Sequence, residues 1–461
     1  MAVGEPGSNL TRCSYRAWLS RWVDTKDCLA STKAKLVILG AGFAGLRVLY
    51  RLHDTFGVTL IDPRSDSLAK PTLPELALSG KPVAHARFPL APIARRTQAQ
   101  LTQASATSID PVAQRIQLDS HEAISYDFLV IAVGAVKDYS AIEGLEEFGY
   151  SVCDDDHATR RWDALSAFKG GPIVVGAALS TWGTKVAAPD LKAPCEGPIG
   201  EGIFMAGYEL RSRRIAHTIS AFTPGDVFFD DVGDNVHASI APLLGATGVE
   251  VLTAKSVRRV AKGSVMFTDG TELESELTVV IPPYRDPKMI VDSGLGDEVG
   301  FVPVNEQMQA FDYSNIFVAG DVSALAMPKL GHIAVHQADV AVACLLRMVG
   351  DTVEIPPYRP EVICVMNRGG SEAILLLSDI IYGGERDIAK SGPLVHFMKW
   401  SFDAWGYHTH GHLPPDLLQE ALEKFLSFIR RPRLGQWNRI GAEQWGTIRQ
   451  GPGIEVYRSR A

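Results

Sequence analysis

An α/β fold class is predicted by four stretches of this 461-residue chain. Residues 33–66, KAKLVILGAGFAGLRVLYRLHDTFGVTLIDPRSD, alternate strand, glycine turn, helix and strand. Residues 126–135, YDFLVIAVGA, and 315–325, NIFVAGDVSAL, are short apolar runs that end in glycine turns. Residues 170–183, GGPIVVGAALSTWG, open a second unit of the same kind. Short continuous apolar runs of this sort suit strands buried on both faces of a parallel sheet.

The first stretch carries the most specific pattern. Gly40, Gly42 and Gly45 form G-x-G-x-x-G between the strand KLVIL and the helix LRVLYRLHD, and VTLID ends in Asp62. Gly40 allows the tight turn, Gly42 lets the backbone approach a pyrophosphate, and Gly45 lets helix and strand pack closely. The helix start offers unpaired N–H groups to phosphates, and Asp62 can accept from a ribose hydroxyl. Glycines alone would be weak evidence; strand, glycines, helix, strand and acid in this order predict a Rossmann-like dinucleotide-binding lobe.

Bulk properties exclude several classes. Hydrophobic residues make up 46% and charged residues 21%, the balance of a globular chain with two or three cores. The net charge of −8 argues against a nucleic-acid partner. Six cysteines, Cys13, Cys28, Cys153, Cys195, Cys344 and Cys364, are too scattered for a secreted disulfide scaffold, and none shows C-x-x-C spacing. Residues 1–32 read as an appended arm without an apolar signal core. No run approaches the ~18 apolar residues of a spanning helix, so membrane contact is expected at the surface only.

Val133-Gly134 and Gly320-Asp321, at the ends of their strands, resemble the motifs of flavoproteins with two dinucleotide-binding domains. That resemblance implies FAD in the first lobe, with Gly134, Gly320 and Asp321 as contacts and Ala106, Lys329 and Gly331 beside them. A helix over 328–348 would point its N-terminus at the flavin, where its dipole favours negative charge. The second lobe of such proteins carries a nicotinamide fingerprint. Here the turn reads Ala177-Ala178-Leu179-Ser180-Thr181-Trp182, with only Gly176 and Gly183 beside it. A side chain at the close-approach position obstructs a pyrophosphate, so the lobe is expected without its nicotinamide site.

Three cysteine segments narrow the resemblance. GYSVCDDDHA at 149–158, APCEGPIGEG at 193–202 and PEVICVMNRGG at 360–370 are similar to those of sulfide:quinone oxidoreductases. The similarity implies that Cys195 and Cys364 bridge through sulfur beside the flavin, with Cys153 as the third cysteine. It also implies that Glu201 and His157 handle protons there. The chemistry stands independently. Hydrosulfide attacks a disulfide or persulfide and leaves its sulfur on one cysteine. The other thiolate passes on two electrons, which requires a lowered pKa or a nearby base. The Pro/Gly run around Cys195 is expected to hold neither helix nor strand. Cys344, in an apolar helical stretch, reads as a small hydrophobe, and Cys13 and Cys28 as incidental.

The aromatic stretch GPLVHFMKWSFDAWGYHTHGHLPP, 392–415, is similar to the same family's quinone segment, with Lys399 matching the lysine that reaches the ring. Phe397, Trp400 and Phe402 supply flat apolar surface. His408, His410 and His412 would share one face of a strand, but no thiol or acid lies near them and no metal is expected. Residues 415–434 form an amphipathic helical pattern that suits either a core or a lipid surface.

The expected organisation is an α/β chain with two Rossmann-like FAD/NAD(P)-type lobes plus a C-terminal membrane-associating region. The arm spans 1–32, the FAD domain 33–142 and 301–350, the second lobe 143–300, and the quinone and membrane region 351–461. The expected partners are sulfide, a membrane quinone and a membrane surface on the cytoplasmic face; homo-oligomerisation is left open. Three rivals remain at this stage. They are a flavocytochrome c-type sulfide dehydrogenase subunit, a quinone reductase using another thiol donor, and a flavin-binding sulfur sensor that does not turn over.

Overall fold

A computed structural model describes residues 33–183, 191–325 and 327–414. Its first sheet starts with β1 (Lys35–Leu39), β2 (Gly57–Ile61), β3 (Gln100–Thr102) and β4 (Phe128–Ile131). Helix α1 (Phe43–Leu52) joins β1 to β2. The strands β1 and β2 pair in parallel from Lys35–Gly57 to Leu39–Ile61. Leu36, Ile38, Leu60 and Leu129 are fully buried, as expected of a parallel sheet covered on both faces.

Helix α2 (Leu73–Ser79) occupies the stretch LPELALS. Helix α3 (Asp155–Ala167) packs against it and is capped by Asp154, whose carboxylate accepts from His157 N at 2.7 Å. Asp155 and Asp156 in its first turn oppose the positive end of the helix dipole.

The second sheet contains β5 (Gly171–Ala177), β6 (His217–Phe222), β7 (Glu250–Leu252) and β8 (Leu277–Ile281), in the order β7-β6-β5-β8. Helix α4 (Gly197–Ser212) crosses from β5 to β6, with Pro198 in its first turn. The Pro/Gly run after Cys195 therefore corrects the sequence expectation: it is irregular only up to Glu196, and Glu201 sits on a helix. Pro198 is compatible with a helix start, where its missing N–H costs nothing.

Strand β9 (Ile316–Val318) returns to the first sheet and completes the order β9-β4-β1-β2-β3. Helix α5 (Gly331–Met348) follows and packs on α1. A C-terminal antiparallel sheet follows, β10 (Val362–Gly369), β11 (Glu372–Ser378) and β12 (Asp387–Gly392). Helix α6 (Pro393–Thr409) lies on this sheet. His408 ends that helix and His410 is left-handed beyond it, so the three histidines do not share a strand face. Among the described residues no group of three His, Cys, Asp or Glu is placed to hold a metal. The pattern at 415–434, the arm 1–32 and Cys13 and Cys28 lie outside the described residues.

Candidate active site

The dinucleotide loop is built as the spacing requires. A Cβ on Gly45 would overlap the Gly40 carbonyl oxygen, whereas one on Gly42 would meet nothing within 4 Å. The loop is therefore closed on its helix side and open where a pyrophosphate would lie. Asp62 braces it: Oδ2 accepts from Ala41 N at 2.7 Å and Oδ1 from Arg64 N at 2.8 Å. Burial raises the Asp62 pKa, and the two backbone bonds oppose that rise. Gly134 is open on its outer side, with Asp321 Oδ2 the nearest atom to an added Cβ at 4.0 Å. Gly320 donates its N–H to Gln337 of α5 at 2.6 Å, and Gly331 opens that helix. Ala106 begins a short strand, Ala106–Asp110, soon after β3.

Around Asp321 the structure gathers two lysines that the sequence reading overlooked, Lys70 and Lys137, with the expected Lys329. Lys70 Nζ lies 3.4 Å from Asp321 Oδ2, and Lys329 Nζ donates to the Asp321 carbonyl at 2.9 Å. Burial and the neighbouring ammonium of Lys70 pull the Lys137 pKa down to about 7, and burial takes Lys329 to about 8. Three ammonium groups about one carboxylate suit an anionic cofactor. Together with the open Gly42 turn, this donor set fits FAD.

The cysteines converge from three segments. Cys195 precedes α4, Cys364 lies inside β10, and Cys153 precedes α3. An added Cβ on Gly197 would lie 2.7 Å from Cys364 Sγ, so the sulfur rests on the first residue of α4, two positions from Cys195. The Cys195 thiol feels Cys364, Asp231 and Cys153. Cys195, Cys153 and Cys344 are buried, and all four described cysteines are free thiols. Tyr284 Oη donates to Cys153 Sγ at 3.5 Å. Burial, followed by the Cys364 and Asp231 charges, pushes the Cys195 thiol well above its usual pKa. Burial, then Glu201 and Asp231, pushes Cys364 up to about 12. Both surroundings favour the neutral thiol, with Lys399 alone opposing the rise at Cys364.

Glu201 and Asp231 are the carboxylates that raise the Cys364 pKa, and both act through space. Asp231 is the functional candidate that the sequence did not reveal. Burial lifts its pKa to about 7, and its Oδ1 has no hydrogen-bond partner among the described residues. His157 does not join this group. Its ring stacks on Tyr139 at 4.0 Å, and Nδ1 lies 3.0 Å from Arg160 Nη2.

Lys399 and the exposed Phe397 and Trp400 of α6 occupy different faces. Lys399 is buried and donates to Glu201 Oε1 at 2.7 Å and to the Val365 carbonyl at 3.2 Å. Phe397 and Trp400 are more than half exposed and stack at 5.9 Å, with Phe402 also exposed. Two residues apart on a helix is about 200°, which sends Phe397 and Lys399 to opposite sides.

Two parallel nucleotide-type sheets, a glycine loop that fits FAD and Cys153 near the buried Lys70 and Lys137 define a flavin-dependent oxidoreductase. The pattern of the pyridine nucleotide-disulphide oxidoreductases matches residues 34–338, and the chain belongs to that family. It is 27% identical over 425 residues to the sulfide-quinone reductase of Aquifex aeolicus, covering 85% of this chain and 95% of the relative. It is 23% identical over 370 residues to the mitochondrial sulfide:quinone oxidoreductase of Mus musculus, covering 76% of this chain and 78% of the relative. An NADH dehydrogenase-like protein of Mycobacterium tuberculosis is 26% identical over 317 residues, covering 64% of this chain and 74% of the relative. In fold, the chain resembles the crystal structure of the Aquifex aeolicus sulfide:quinone oxidoreductase, with a TM-score of 0.77 at 23% identity. That match covers 93% of this chain and all of the other.

Proposed function

We propose that this flavoenzyme oxidises sulfide at Cys195 and Cys364 and reduces a membrane quinone. The observation that carries the reading is the seat of Cys364 Sγ on Gly197, beside the loop that holds Cys195. FAD, when bound, accepts an electron pair from sulfur and releases it to a quinone. The remaining steps belong to side chains. Hydrosulfide attacks a sulfur held between the two cysteines, and Glu201 or Asp231 receives the proton. Lys329, Lys137 and Lys70 stabilise negative charge on the cofactor side. Lys399, on the buried face of α6 beside Glu201, supplies a positive charge for the quinone oxygen.

The second lobe, 143–300, is read as a scaffold without a nicotinamide site. Gly176 backs onto the Phe222 ring, and Trp182 Nε1 donates to the Leu191 carbonyl at 2.5 Å, closing the turn on itself. Lys329 lies over the Trp182 ring at 5.2 Å, so the indole comes against the cofactor lysines. Among the described residues no helix is long and apolar enough to cross a membrane. The exposed Leu394, Phe397, Trp400 and Trp405 of α6 support contact with a lipid surface from one side.

The test is anaerobic addition of sulfide to the FAD-loaded protein, with and without a short-chain soluble quinone. Bleaching of the flavin by sulfide and its recovery with quinone are expected, and Cys195→Ala should lose bleaching while retaining FAD. Bleaching without quinone recovery would move the assignment to a cytochrome-linked subunit or a sensor. Rapid bleaching by NADH alone would remove it.

A further inference from the structure

A chain of polar side chains leads away from the cysteines to solvent. Glu201 Oε1 accepts from Lys399 Nζ at 2.7 Å and from Asn367 N at 2.9 Å. Asn367 Nδ2 donates to Glu75 Oε1 at 3.0 Å, and Glu75 is paired with Lys81. The side chains of Lys399 and Glu201 are each only 6% exposed, whereas Lys81 reaches 26%. Asp403 lies one turn beyond Lys399 on α6, and its buried Oδ2 has no hydrogen-bond partner among the described residues. The groups come from four places: Glu75 from α2 with Lys81 just after it, Glu201 from α4, Asn367 from β10, and Lys399 and Asp403 from α6. Such a buried network is costly to maintain unless its members are paired or used.

We propose that this network is the proton route between the sulfur pair and a quinone at Lys399 on the buried face of α6, with Asp403 and Glu75 exchanging protons with solvent. The inference rests on the sulfide:quinone reading above. Hydrosulfide loses its S–H proton and two electrons as its sulfur forms an S–S bond to the cysteine-held sulfur. The quinone gains two electrons and two protons and forms two O–H bonds. One of those protons comes from hydrosulfide, and the other comes from solvent. Glu201 is placed to collect the first because its charge bears on Cys364. Asp403 is suited to deliver both. Burial raises its pKa to about 6, Lys399 and Lys81 oppose that rise, and Glu75 and Glu201 add to it. It therefore gains and loses a proton near neutrality, which Lys399 does not. Burial works against the Lys399 charge, but Glu201 and Asp403 hold its pKa above the ordinary lysine value.

The experiment separates the two half-reactions in the full-length, FAD-loaded protein. Asp403→Asn and Glu75→Gln are reduced with sulfide and, separately, with dithionite, then reoxidised by a short-chain soluble quinone across pH. Asp403→Asn should bleach with sulfide at nearly the wild-type rate but recover with quinone at least ~100-fold more slowly, the lower end of the range for a lost proton donor. The inflection of the recovery rate near pH 6 should vanish with it, and Asp403→Glu should restore both. Infrared difference spectra of the unreacted protein should show a carboxyl band titrating near pH 6 that is missing in Asp403→Asn. Equal slowing of both half-reactions with an unchanged pH profile, or retention of that band, overturns the proposal in favour of a purely structural ion pair. Wild-type protein that dithionite but not sulfide can bleach would refute the sulfide reading. The dithionite arm would still decide the route.

Discussion

Lys399 and Glu201 stand 198 residues apart in the chain and 2.7 Å apart in the fold. Lys399→Met would remove one partner and leave the other buried, a change that typically costs about 3 kcal/mol or more. Burial already holds the Glu201 pKa above its ordinary value, and losing the lysine raises it further. An acid with a raised folded pKa binds more protons folded than unfolded, so its unfavourable contribution grows with pH. Urea unfolding should therefore show a larger deficit for Lys399→Met at about pH 8 than at about pH 5. The sequence marked both residues from their segments, but nothing in those segments announced that they touch. Asp403 was within reach of sequence reasoning, because its i,i+4 spacing from Lys399 sets the two on one helical face. Asp231 and Glu75 gave no comparable signal, since each becomes relevant only when a distant element packs against it.

At the level of elements, the glycine fingerprint was readable because every part of it is local. Strand, turn and helix fall within 30 residues, and the same residues define the geometry and the chemistry. Helix α4 was not readable for the opposite reason: its first turn is written in proline and glycine, the vocabulary of loops, and only the packing of β10 fixes it as a helix. Helix α3 shows how a charged site can hold an element in place. Asp155 is buried and accepts from Arg64 Nη2 at 2.8 Å and from Arg87 Nε at 2.8 Å. Burial would raise its pKa, but the two guanidinium groups more than offset this and lower it to about 2. A lowered acid contributes stability that is full above its unfolded pKa and is lost as pH falls through the folded one. Asp155→Asn should destabilise the protein by about 1–2 kcal/mol at neutral pH, less than for a fully buried pair because solvent reaches Arg64 and Arg87. It should also flatten the acid limb of the unfolding curve between about pH 4 and about pH 2, read by circular dichroism.

On the scale of the whole molecule, the two nucleotide-type sheets were legible as strands ending in glycine, and their parallel pairing goes with the helical crossovers that join successive strands, α1 between β1 and β2 and α4 between β5 and β6. The apolar face of α6 was legible only as a density of aromatics; the structure sorts them by side, with Lys399 inward and Leu394, Phe397 and Trp400 outward. That outward face predicts adsorption to lipid. Phe397→Ser combined with Trp400→Ser should weaken co-sedimentation with anionic phospholipid vesicles by roughly a hundredfold while leaving sulfide bleaching in solution intact, since burying large apolar side chains is worth about 1.5 kcal/mol or more each.

Cys195 shows only 8% of its surface to water, and the glycine that accommodates its companion sulfur leaves no room for a side chain. Such burial sets a cost for any reagent that would reach this sulfur. A bulky alkylating probe should therefore label Cys195 far more slowly than a small one, and the ratio of the two rates reads how tightly the fold closes over the thiol.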